Sequence, residues 1–109
     1  MYWYTDLDFS DWLIAVAKIV NPPRVLSISY GHTEFSNDNG TRSAFNQQAI
    51  KFGAMGVTIF ASSGDDGATY GSGTCSYAPN FPSVNPYVTS VGGTSVSENK
   101  FLLSLSYCS

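Results

Sequence analysis

Two adjacent carboxylates, Asp65 and Asp66, lie between Gly64 and Gly67 in the stretch Gly56–Ala68, GVTIFASSGDDGA. A carboxyl group can act as general acid or base, ligate a metal or, when protonated, donate a hydrogen bond. The preceding residues say where this pair stands. Val57-Thr58-Ile59-Phe60-Ala61 is a short apolar run of strand formers that stops abruptly at Ser62-Ser63-Gly64. That is the pattern of a strand entering a tight, glycine-supported loop. A run apolar on both faces suits a parallel sheet covered by helices, and open α/β sheets bind ligands at the carboxyl ends of their strands. The spacing therefore makes this loop the best candidate for chemistry. Two other readings share the same residues: a plain solvated turn and a metal-holding GDDG loop in a βαβ domain.

Other candidates carry less. His32 is the only histidine, so a Ser-His-Asp triad would have to use it. It follows a strand, near Glu34, and reads as a solvated loop residue. Asp6, Asp8 and Asp11 read as acidic residues favoured at a helix N-terminus. Asn37–Gly40 resembles part of a calcium loop but lacks the alternating acidic ligands and the closing glutamate. Cys75 and Cys108 can form one bridge, and neither belongs to a CxxC pair, so zinc is not suggested. Asn39-Gly40-Thr41 is a glycosylation sequon, and with the cysteines it leans towards the secretory route.

The elements that position these residues follow from pattern. Tyr2-Trp3-Tyr4 is a strand-like start. Ser10 can cap a helix with Asp11 in its first turn, carrying Trp12, Leu13, Val16, Ala17 and Val20 at helical spacing. Asn21-Pro22-Pro23 ends it. Val25–Tyr30 is a second strand closed by Gly31, and residues 33–40 form an exposed loop. Thr41 can cap the next helix, whose buried stripe is Ala44, Phe45, Ala49, Ile50 and Phe52, and Gly53 and Gly56 loosen its end. After the strand 57–61 comes a long Gly-, Ser- and Pro-rich loop, 69–85, and then a strand at Tyr87–Val91. Strand, helix and strand make a βαβ unit, which predicts a parallel α/β sheet with packed helices and right-handed crossovers. Phe101–Ser109 is apolar and serine-rich and is left as a tail, giving one partial domain over 1–100 and a tail over 101–109.

One domain at most fits in 109 residues, and a chain of this size can bury about 65% of its unfolded surface. Hydrophobic content of 43% marks a globular protein, while a charged share of only 12% suits a segment from the interior of a larger one. The net charge of −3 and five scattered basic residues argue against nucleic acid as partner. No apolar run reaches the roughly 18 residues of a membrane helix. The first residues lack a basic and an apolar region, so no signal peptide is expected in them.

The order of VLSISYG (Val25–Gly31), GVTIFASSGDDGA, Cys75 and NFPSVNPYVTSVGGT (Asn80–Thr94) resembles the sedolisins, the serine-carboxyl peptidases, with tripeptidyl-peptidase-like members among them. Trp3-Tyr4-Thr5 and Asp11-Trp12-Leu13 before Asn21-Pro22-Pro23 extend the likeness over residues 2–100. The resemblance implies part of a subtilisin-like parallel sheet with flanking helices and hydrolysis of peptide bonds at acidic pH. It further implies a serine nucleophile, a glutamate base supported by an aspartate, and a second aspartate in the oxyanion hole. Asp65 matches that oxyanion aspartate, and Asp66 replaces a commoner serine. If both carboxylates face one site, Asp66 would favour the protonated, donating form of Asp65.

The glutamate–aspartate pair is expected upstream of this chain. Ser95 follows Gly93-Thr94, but the nucleophile motif continues to a proline that Val96-Ser97-Glu98-Asn99 does not supply. The nucleophile is therefore expected outside this chain, as are the ligands of the calcium ion implied for the intact domain. The resemblance implies peptide or protein substrates, the remainder of the peptidase domain as partner, and a lysosomal or secreted location. It does not imply a Cys75–Cys108 bridge. On this reading the chain alone is inactive. The alternative is a non-catalytic α/β binding or decoy module derived from the same fold.

Overall fold

The computed structural model describes residues 9–34, 39–65, 79–97 and 100–103. Helix α1 spans Phe9–Ala17 and helix α2 spans Asn39–Ala54. The strands are β1 (Val25–Ile28), β2 (His32–Thr33), β3 (Thr58–Ser62), β4 (Asn80–Phe81), β5 (Thr89–Val91), β6 (Thr94–Ser97) and β7 (Lys100–Leu103). Strands β1, β3 and β5 form a parallel sheet with β3 in the centre. The architecture is α/β, a parallel sheet with flanking helices, as the sequence predicts.

Helix α1 starts earlier than its capping pattern implies. Ser10 lies inside the helix and is buried, instead of standing before it. The helix also stops earlier. Lys18 N donates to Ala15 O and Ile19 N to Val16 O, at 3.3 and 3.1 Å. These i→i−3 bonds tighten the last turn ahead of Pro22-Pro23. Val20, expected in the helix at helical spacing, is consequently outside it and 94% exposed.

Helix α2 begins at Asn39, so Thr41 is an internal residue and not its cap. Phe45, Ala49 and Phe52 form its buried face, whereas Ile50 is exposed. Its end is built, not loosened. Gly56 takes a left-handed φ of 74°, Gly56 N donates to Gly53 O, and Val57 N donates to Phe52 O at 2.9 Å. This is the Schellman arrangement, and the pair it brings together, Phe52 and Val57, is buried in the same core cluster. Arg24 Nη1 donates to Met55 O at 3.1 Å, taking up another carbonyl at this end.

The core collects Phe9 and Leu13 from α1, Phe45, Ala49 and Phe52 from α2, Leu26 and Ile28 from β1, and Ile59 and Ala61 from β3. Leu26 pairs with Ile59 and Ile28 with Ala61. Strand side chains alternate between faces, so these four share one face, and both helices pack there. On the other face Val25, Ser27 and Thr58 are exposed and Phe60 is half-buried. The central strand is therefore not buried on both sides among the described residues, as its apolar run had suggested.

Beyond β1 the chain makes β2, which pairs antiparallel with β4: His32 opposite Phe81 and Thr33 opposite Asn80. Glu34 N extends the pairing to Pro79 O at 2.8 Å. The expected loops over 33–40 and 69–85 thus meet as a two-stranded ribbon. Residues 94–97 and 100–103 form an antiparallel hairpin, so pairing crosses the position where the sequence placed a tail. Among the described residues no helix is long and apolar enough to cross a membrane. The expected strand at Tyr2–Tyr4, Asp6, Asp8, Asn37, Asp66, Cys75 and Cys108 lie outside the described residues.

Candidate functional site

The carboxyl ends of β1 and β3 converge with β4. Ser63 N donates to Val91 O at 2.9 Å, carrying the β3–β5 pairing one residue past Ser62. The chain then turns at Gly64, whose φ of 92° is left-handed. Only glycine adopts that conformation without steric cost. Asp65 follows immediately and is exposed, at the end of the central strand where the sequence reading places the chemistry.

The glycines here also meet a space requirement. A Cβ on Gly64 would collide with the side-chain amide of Asn80. A Cβ on Gly31, just past β1, would lie 2.8 Å from the Phe81 carbonyl oxygen and 3.1 Å from Asn80 Oδ1. Two glycines from neighbouring parallel strands thus leave room for one asparagine. Its main chain is held by a turn: Ser83 Oγ and Val84 N donate to Asn80 O at 2.7 and 2.9 Å. The peptide bond between Phe81 and Pro82 is cis. The turn continues to Asn85, which is buried. Asn85 Nδ2 donates to Asn46 Oδ1 on α2, and Asn85 Oδ1 accepts from Tyr87 N at 2.9 Å. These bonds tie the segment between β4 and β5 to the second helix.

The other candidates go elsewhere. His32 is not a solvated loop residue. It is half-buried, its ring 5.4 Å from that of Phe9 and 6.1 Å from that of Tyr30. Glu34 accepts from Arg42 Nη1 at 3.2 Å, and Arg42 Nη2 also donates to Asn39 Oδ1. Asn39 itself is exposed at the start of α2. Asp11 is exposed in the first turn of α1, where a carboxylate favours the helix dipole. Ser95 is in β6, opposite Leu102. Among the described residues no group of three or more His, Cys, Asp or Glu side chains could hold a metal ion.

Known proteins share this sequence and this arrangement. Tripeptidyl-peptidase 1 of Mus musculus is 38% identical over 97 residues, covering 87% of this chain and 17% of that protein. Tripeptidyl-peptidase 1 of Homo sapiens is 38% identical over 92 residues, covering 83% of this chain and 16% of that protein. A Pseudomonas sedolisin, described as a serine-carboxyl proteinase complexed with two molecules of pseudo-iodotyrostatin, superposes with a TM-score of 0.66. It is 31% identical in sequence, and the match covers 79% of this chain and 24% of that one. This chain is part of a sedolisin-family domain. Tripeptidyl-peptidase 1 proteins are among its relatives in that family. The sedolisin segment spans only 17% of the length of the mouse relative. No family model matches the chain.

Within this sedolisin segment, the sequence reading missed two residues, Asn80 and Asn85. Both lie in the stretch NFPSVNPYV, where an asparagine reads simply as a turn former. The available signal was the pair Gly31 and Gly64, each within three residues of a strand's end, which announces a close approach without naming what approaches.

Proposed function

We propose that this chain supplies the oxyanion side of an acid-acting serine-carboxyl peptidase of the tripeptidyl-peptidase kind. The observation that carries the reading is Asp65 itself. It follows the left-handed Gly64 at the carboxyl end of the central strand, in a chain 38% identical to tripeptidyl-peptidase 1. Attack on a peptide carbonyl places negative charge on oxygen, and a donor aimed at that oxygen lowers the barrier. A carboxyl group donates only when protonated, which suits acid conditions. The serine nucleophile and the glutamate–aspartate pair come from sequence outside this chain, as do the ligands of any calcium ion. The substrates are peptides or proteins, the remainder of the peptidase domain is the partner, and the intact protein works in the lysosome or outside the cell. Asn39, exposed in its sequon, is the proposed glycosylation site.

The test is peptide hydrolysis at acid pH by the full-length protein containing this chain. Asp65→Ala is expected to lower kcat by about 10²–10³-fold, the loss typical of one oxyanion donor. Asp65→Asn keeps an N–H donor at every pH, so it retains more activity than Asp65→Ala and loses less of it towards neutral pH. An Asp65→Ala protein with unchanged kcat would remove Asp65 from the reaction. A native polypeptide of 11.7 kDa with no peptidase activity would favour the non-catalytic module.

A further inference from the structure

We propose that Asn80 is a positioning residue that sets the direction of Asp65; the inference rests on the peptidase reading above. The Asn80 amide occupies a notch formed by two glycines from different strands. Its Oδ1 faces Gly31 at the end of β1, and its Nδ2 faces Gly64 at the end of β3. Neither glycine can gain a Cβ without striking Asn80 or the main chain beside it. The asparagine cannot drift away from the notch, because three sets of bonds hold its backbone. These are the pairing with Thr33, the bond from Ser83 Oγ and the bond from Val84 N.

The consequence falls on the next residue. Gly64 has φ +92°, and the dihedrals of Gly64 determine where Asp65 points. A glycine has a wider choice of backbone conformations than any other residue. Something outside its own chemistry must therefore select the left-handed one. The Asn80 side chain fills the space that Gly64 leaves vacant and is braced from behind by Gly31. It thereby links the carboxyl end of β1 to the orientation of the Asp65 carboxyl group beyond β3. Asn80 does not touch the reacting atoms in this role. It acts through Gly64.

The experiment compares Asn80→Ala and Asn80→Asp in the full-length protein, measuring kcat and KM separately on one peptide substrate at acid pH, with thermal unfolding alongside. Asn80→Ala empties the notch and frees Gly64. The expected result is a folded enzyme with kcat lowered about 10- to 100-fold, the scale of a misplaced catalytic group, and KM within about 2-fold. Asn80→Asp restores the shape, and in its protonated form the carboxyl presents a donor on one oxygen and an acceptor on the other, where the amide has its NH2 group and its oxygen. It is expected to return kcat to within about 3-fold of the unsubstituted protein.

Four results would overturn the inference: kcat of Asn80→Ala within about 2-fold of the parent, a KM rise that matches the kcat loss, Asn80→Asp no better than Asn80→Ala, or an Asn80→Ala protein that does not fold. The last would make Asn80 a stability residue. Lack of activity in the unsubstituted protein would instead overturn the peptidase reading.

Discussion

The two faces of the central sheet differ more than their sequences do. On one face, Leu26, Ile28, Ile59 and Ala61 are 2–8% exposed beneath α1 and α2. On the other, Val25 is 57% and Val91 is 50% exposed. Valine is as good a strand former as isoleucine, so propensity does not separate the two sets. What separates them is the direction in which each residue points, once the β1–β3 register is set and both helices have docked on one side. The comparison teaches that an apolar strand in this chain marks a sheet position without marking a covered face.

The largest effect that could break this contrast is in the covered layer. Phe45 is fully buried and its ring stands 5.1 Å from Phe81 and 6.3 Å from Phe9. Phe45→Ala is expected to cost about 3–5 kcal/mol in denaturant unfolding, from lost burial and the cavity left behind. A loss below about 1 kcal/mol would mean that the helices are not docked as described.

A smaller effect is expected at Asn85, where the buried layer meets the loop leading to β5. Asn85→Ala removes the partner of Asn46 and of Tyr87 N. It should cost about 1–3 kcal/mol, the range for leaving a buried polar group unpaired. Protection of the Tyr87 amide from hydrogen exchange should fall in the same variant.

The smallest effect belongs to the open face and sharpens the contrast most. In this chain by itself, Val25→Ala and Val91→Ala should each change stability by no more than about 0.5 kcal/mol, as surface substitutions do. A cost above about 2 kcal/mol in this chain by itself would show that the face is covered within it.

Much of the site's address was legible in the chain. The apolar run ending in Ser-Ser-Gly located β3 to within one residue, and Gly64 before Asp65 announced the turn. The order of VLSISYG, SGDDG and NFPSVNPYVTSVGGT pointed to the sedolisins ahead of any structure. Element ends were less legible. Ser10 and Thr41 both satisfy a capping pattern, yet both sit inside helices, one and two residues past the first helical residue.

The sequence by itself determined the α/β order of elements, the parallel strands and the placement of Asp65 after a glycine. These depend on local causes: side-chain shape, spacing, and the positive φ that glycine permits at positions 56 and 64. Only the tertiary structure decided which sheet face lies under the helices. Only it placed His32 against Phe9, brought Asn85 to Asn46 across 39 residues and lodged Asn80 between Gly31 and Gly64. Such contacts depend on where distant segments stop when the core is packed, and a pattern read along one stretch of chain holds no record of the surface that will meet it.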